Sequence, residues 1–175
     1  MGTDEHSEFA ERVADLNKYG RAFNQCESVD EVVSLTLEAV TILFELGDVT
    51  VVKVRDGDLQ VAGSTNPRLS AGDSPGAVAR EAAETGQTVV DEMTSEADAS
   101  DAGTTAVLAV PGAVVDEVTL VVVARSTAVE SFGEEYVRPM EILAAHGATA
   151  VGNIRSRERL ERARQDLATR KEMVE

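Results

Sequence analysis

From Glu134 to Glu175 the chain reads as one uninterrupted helix. It holds a single proline, Pro139, close to its start. The stretch from Ile154 to Glu175 is almost wholly Arg, Glu, Leu, Ala, Gln and Lys, the residues that lose least on entering a helix. No capping signal closes it. A helix longer than its own domain constrains everything upstream, because one end packs on a core while the other projects. The expectation is a folded module whose last helix runs on as a linker into a downstream domain.

That module needs a core, and 175 residues with 43% apolar content provide one. The core is built from Val and Ala, since aromatic residues are only 3% and Trp is absent. Charge is lopsided: 32 acidic residues against 16 basic give a formal net charge of −16, and only Lys18, Lys53 and Lys171 among the basic residues are lysines. Such self-repulsion opposes compaction at ordinary ionic strength. It fades above molar salt, where the screening length is about 3 Å. The composition resembles that of haloarchaeal proteins. Direct nucleic-acid contact and anionic membrane surfaces are disfavoured, because phosphate contacts need basic patches. The single Cys26 excludes an internal disulfide framework. Nothing approaches the apolar run of about 20 residues that a membrane span requires, and the start is no signal peptide. A cytoplasmic location is expected.

Residues 5–26 read as an amphipathic helix whose seam is Phe9, Val13, Leu16, Gly20 and Phe23. Ser28-Val-Asp-Glu31 is a capping box, opening a second helix to about Glu45. That helix buries Val32, Val33, Leu37, Val40 and Leu43 or Phe44, with Gly47 at the residue that ends it. Residues 49–55 and 58–63 form a hairpin around Asp56-Gly57. Residues 64–74 are a polar loop with Asn66-Pro67. Ser74-Pro75 starts a third helix, which carries Val78, Ala82 and Ala83 to Thr85-Gly86. A short strand occupies residues 88–91, and residues 92–105 read as a loop. Residues 106–110 form a strand closed by Pro111-Gly112. An extra strand is expected near Val114-Val115, and residues 118–124 read as a central strand covered on both faces. Phe132-Gly133 leads into the last helix.

The fold class is therefore α+β: an antiparallel sheet of five to six strands, helices on its faces, and long N- and C-terminal helices. Three stretches in this order resemble the GAF domain family. They are Ser74-Pro-Gly-Ala-Val78 through Glu84-Thr-Gly-Gln-Thr-Val-Val-Asp91, then Ala106-Val-Leu-Ala-Val-Pro111, and Phe132 through Leu143-Ala-Ala-His-Gly-Ala-Thr-Ala-Val151. The organisation implied is an N-terminal helix at 1–27, a GAF-like, broadly GAF/PAS-like, sensory domain at 28–155 and a signalling linker at 156–175. Family members bind small molecules between the sheet and the short helices, and many precede histidine kinase cores. The chain departs from the family in two places. Val118-Thr-Leu-Val-Val-Val lacks the usual Gly, and the Asn-Lys-x-x-x-Phe-x-x-x-Asp-Glu motif of cyclic-nucleotide members is absent.

Chemistry by residue type is sparse. His6 and His146 with one Cys cannot supply the clustered ligands of a zinc site, and His146 is expected half-buried where the last helix meets the sheet. Cys26 has no resolving partner and reads as a small apolar residue. Gly72-Asp-Ser-Pro-Gly76 is no nucleophile elbow, and Ser74 fits a helix N-cap. No catalytic residue, metal or cofactor is expected. The resemblance implies a ligand pocket with Asn66, Arg80, Asp91, Thr104 and Thr105 as its polar groups. No aromatic residue lies between Phe44 and Phe132 to stack a flat ring, so a small, largely apolar ligand fits better.

In the last helix Met140, Gly147 and Ile154 are seven apart, as are Leu160, Leu167 and Val174, with a six-residue step between the sets. A parallel homodimer is expected, with Phe9, Val13, Leu16, Phe23, Ile154, Leu160 and Leu167 at its interface. The function expected is a sensory input domain of a histidine kinase. The alternatives are the input domain of a DNA-binding regulator and a stand-alone GAF-type enzyme such as a methionine sulfoxide reductase.

Overall fold

The computed structural model describes residues 2–94, 104–129 and 131–174. In chain order these form α1 (Gly2–Asn24), α2 (Val29–Phe44), β1 (Asp48–Arg55), β2 (Asp58–Ser64), α3 (Ala77–Thr85), β3 (Val89–Thr94), β4 (Thr104–Val114), β5 (Glu117–Ser126) and α4 (Glu134–Val174). The strands make one antiparallel sheet in the order β2-β1-β5-β4-β3.

The local signals act much as their chemistry dictates. The Ser28 hydroxyl accepts a hydrogen bond from the Glu31 amide at 3.2 Å and starts α2. Glu31 reaches back to accept from the Glu27 amide at 2.7 Å. The helix ends one residue earlier than expected, because Glu45 rather than Gly47 takes the left-handed cap conformation, at φ 53°. Asp56 (φ 53°) and Gly57 (φ 84°) turn β1 into β2.

Other boundaries moved. Helix α3 begins at Ala77, not Ser74. Its N-cap is Gly76 at φ 94°, a backbone conformation that closes off a serine cap two residues earlier. The residues expected to form a loop at 92–105 are partly sheet: β3 continues to Thr94 and β4 starts at Thr104, each the register partner of the other. Residues 95–103 of that expected loop lie outside the described residues.

No extra strand forms near Val114. Instead β4 runs straight through Pro111-Gly112, and Val115-Asp116 (φ 46° and 63°) turn it into β5. Pro111 is tolerated because β3 is paired only as far as Ala109, so a strand lies on one side of it only. The sheet therefore has five strands.

Strand β5 is central, as its apolar run requires. Leu120, Val122 and Ala124 join the core beneath α1, α2 and α4, while Val121 and Val123 face the smaller core beneath α3. Helix α4 crosses β4 so closely that a Cβ on Gly112 would overlap the Ala144 carbonyl oxygen. Its buried positions include Met140, Leu143, Ala144, Ala148, Val151 and Ile154. Beyond Arg155 every described side chain through Lys171 is exposed. Sixteen residues of helix span about 24 Å, so α4 leaves the domain as a rod. Helix α1 runs parallel to it: Gly20 lies against His146, Phe23 near Gly147, and the Cys26 carbonyl accepts from Arg157 at 3.3 Å.

Candidate functional site

The face under α3 is where a ligand pocket was expected. Ala79 and Ala82 bring α3 down onto Val52, Val54, Val107, Ala109, Val121 and Val123, all buried. Two methyl-sized side chains allow this close approach, so among the described residues the space beneath the helix is filled with Val and Ala. Asp91 is the register partner of Val107, and Thr105 precedes Val107 by two residues on β4, so both belong to this face of the sheet.

The candidates do not converge into a site there. Arg80 and Asp91 are exposed, and the Asp91 carboxylate accepts from the Glu92 amide at 2.8 Å. Thr105 is half-buried, and the Thr104 side chain lies outside the described residues. Asn66 follows β2 at the opposite sheet edge, four strand spacings or about 19 Å from β3. Its amide oxygen accepts from the Arg68 backbone at 3.0 Å, and its nitrogen contacts Asp48 at 3.5 Å. Asn66 holds its own turn.

The seam residues divide into two groups. Leu16, Phe23 and Ile154 are buried in the chain's own core, so their apolar surface is already used. Leu160 and Leu167 are 65% and 62% exposed. The Phe9 and Val13 side chains lie outside the described residues. The six-residue step from Ile154 to Leu160 thus marks the place where α4 stops packing on its domain. Six residues turn the helix to about a third of a revolution short of two full turns, so Leu160 points away from the face that Ile154 buries.

His146 is exposed, with its ring over Gly20 of α1 rather than against the sheet. Leu143, Ala144, Gly147 and Ala148 take the inward positions. Cys26 is buried, its thiol lies 3.5 Å from the Ala22 carbonyl, and burial followed by the Glu31 charge pushes its pKa up. Among the described residues no group of three His, Cys, Asp or Glu is placed to hold a metal ion, and no helix is long and apolar enough to cross a membrane.

A feature not singled out in the sequence lies where α4 leaves the sheet. A cleft of about 460 Å³ opens between the β1–β2 hairpin, the start of α2 and α4. A smaller cavity of about 230 Å³ adjoins it, sharing Arg55, Asp56, Arg155 and Glu158. Arg155 donates from Nη1 to the Val54 carbonyl at 3.1 Å, and its pKa is lowered by burial and then by nearby Arg55. The sequence held one hint: Lys53 and Arg55 alternate onto one face of β1, which places two cations on a strand end beside the helix.

A profile of the GAF domain matches residues 28–153. Solved structures with the same fold include the GAF domain assigned to a sensor histidine kinase from Pseudomonas syringae pv. tomato. It is 15% identical, covers 93% of this chain and 99% of that one, and has a TM-score of 0.68. The GAF domain of a phosphoenolpyruvate-protein phosphotransferase from Coxiella burnetii is 11% identical, with coverages of 86% and 98% and a TM-score of 0.68. The free methionine-R-sulfoxide reductase of Neisseria meningitidis is 19% identical, with coverages of 85% and 92% and a TM-score of 0.64. No curated protein matches the sequence. With its five-stranded sheet, its flanking helices and a family match across most of its length, the chain belongs to the GAF domain family.

Proposed function

We propose that this GAF domain is the sensory input module of a cytoplasmic signal-transduction protein. In this reading it works as a parallel homodimer and passes its state to a downstream histidine kinase. The observation that carries this is the division of α4 at Arg155: one uninterrupted helix is core from Met140 to Ile154 and exposed from Ser156 to Lys171. A change in the sheet must move the buried half, and a helix carries that movement outward as a packed, bistable element. Leu160 and Leu167, seven apart and exposed, give a second copy a seam to grip. Helix α1, parallel to α4, admits a signal at the opposite end. The likeness to the Pseudomonas domain supports the kinase assignment.

The module itself has no catalytic role in this reading. Cys26 is buried on the α1–α2 side of the sheet, away from α3, and its raised pKa disfavours the nucleophilic thiolate. The −16 charge supports a cell of high internal salt as the setting for this reading. Thermal unfolding in rising KCl, with sucrose as a non-ionic control, tests that part.

The function is tested by fusing residues 1–175 to a histidine kinase core and inserting one to seven residues at the junction. Kinase activity should vary with the inserted number and return at seven, one heptad. Activity indifferent to the insertion, or a monomer by sedimentation at all concentrations and salts, would sink the reading.

A further inference from the structure

We propose that the cleft between the β1–β2 hairpin and α4 binds the phosphate group of a small hydroxylated phosphomonoester. This binding claim rests on the cleft alone and stands whether or not the domain drives a kinase.

In a chain carrying −16, five of the sixteen basic residues line these two adjoining cavities: Lys53, Arg55, Arg155, Arg159 and Arg162. None of the five has a carboxylate within ion-pair distance. Among the described residues the only ion pair joins Lys18 to Asp15. Arg155 uses one nitrogen on the Val54 carbonyl, and a guanidinium carries five N–H donors. Among the described residues the side chains of Arg55, Arg159 and Arg162 have no hydrogen-bond partner. Burial and then nearby Arg55 lower the Arg155 pKa, and the second of these is what an incoming anion would relieve.

Geometry selects the anion. Arg155, Arg159 and Arg162 are spaced four and three apart and so share one face of α4, while Lys53 and Arg55 come from the strand opposite. Donors converging from two walls suit a tetrahedral phosphate with oxygens pointing several ways. A planar carboxylate is satisfied by a single guanidinium fork. The polar remainder of the larger cleft, Asp30, Asp56, Asp58, Gln60 and Glu158, accepts from hydroxyl groups. The volume, about 460 Å³, suits a small metabolite rather than a polymer. Five carboxylates, Asp30, Asp56, Asp58, Glu117 and Glu158, line the same two cavities, so the lining is charge-balanced and phosphate is held by the converging guanidinium donors rather than by a net positive field.

The test is NMR titration of the full chain at about 0.15 M salt with inorganic phosphate, glycerol 3-phosphate and succinate. The expected result is saturable shifts confined to residues 53–60 and 155–162, with glycerol 3-phosphate half-saturating below inorganic phosphate. The exposed pair R159Q/R162Q should weaken phosphate about tenfold, the scale of one lost charged hydrogen bond, with the spectrum elsewhere unchanged. Arg138→Gln, on α4 but outside the cleft, should change nothing. Linear, scattered shifts, or phosphate binding that R159Q/R162Q leaves intact, would overturn the site. Saturation by succinate but not phosphate would overturn the phosphate assignment.

Discussion

Arg155 of α4 donates a hydrogen bond to the main-chain carbonyl of Val54, 101 residues earlier, at 3.1 Å. The bond ties the last packed turn of the helix to the end of β1, next to the hairpin. Two residues on, Arg157 ties the same stretch to the Cys26 carbonyl. The helix is therefore pinned to two separate parts of the domain at the point where it departs. Replacing Arg155 with Met keeps the aliphatic stem and deletes the donor. The expected loss is about 1 kcal/mol in urea unfolding, with faster amide exchange at the β1–β2 hairpin. Unchanged exchange at the hairpin would show that the bond does not restrain it.

The contact between β4 and α4 allows a sharper test by paired glycines. A Cβ on Gly112 would overlap the Ala144 carbonyl oxygen and press the Ala148 methyl. A Cβ on Gly152 would meet only Val114, at an ordinary 3.6 Å. Gly112→Ala should cost about 1–3 kcal/mol through overpacking. Gly152→Ala should be neutral or gain up to about 1 kcal/mol from helix propensity. Equal effects from the two would contradict the close crossing.

Much of this architecture was legible because its signals are local. Ser28 caps α2 with a partner three residues on, Asp56-Gly57 turns a hairpin by itself, and the run at 120–124 declares a strand buried on both faces. Of the misread segments, 111–116 involved a competition between levels. Pro111-Gly112 has the local chemistry of a stop, yet pairing with β5 carries β4 through it. The true turn falls on Val115-Asp116, where a lone Asp beside a β-branched Val is a weak turn signal. The cleft was out of reach for another reason: Lys53, Arg55 and Arg155 meet only once the sheet has formed.

Among the described residues Val115 is the most exposed large apolar one, at 90%, and it sits at φ 46°. A β-branched side chain is strained in the left-handed region, whereas Asn tolerates it. Val115→Asn should stabilise the fold by about 1 kcal/mol, read as a higher urea midpoint with an unchanged m-value. A lower midpoint would mean that the turn is not of this type.

Stability should fall in alkali beyond the general charge effect. Burial raises the pKa of Cys26 above its ordinary 9.0, and burial followed by Glu38 and Asp15 raises that of Tyr19 above its ordinary 10.0. Above these values the unfolded chain gives up protons that the folded chain keeps. The stabilisation is therefore complete below about pH 9 and is lost as pH rises through the folded values. Cys26→Ala and Tyr19→Phe should each flatten the decline measured between pH 8 and 11. At pH 8 native Cys26 should resist iodoacetamide until the protein unfolds.

The proposed dimer makes a prediction that the exposed half of α4 can test. With Leu160 and Leu167 as the seam of a parallel dimer, Arg157, Arg164 and Lys171 recur every seven residues along one flank. Arg159 and Asp166 recur along the other. In that register Arg159 faces Arg164 of the partner subunit, a repulsive pair, and Asp166 faces Lys171 of the partner subunit, an attractive one. Each contact occurs twice in a two-fold dimer. Arg164→Glu converts two repulsions into two attractions. At a few tenths of a kcal/mol per exposed pair, the dimer should tighten by about fivefold in sedimentation equilibrium at low salt. In 2 M KCl the difference should nearly vanish. Leu160→Glu with Leu167→Glu should abolish association with the fold intact. A dimer that survives the double change and ignores Arg164→Glu would place the interface elsewhere than on this helix.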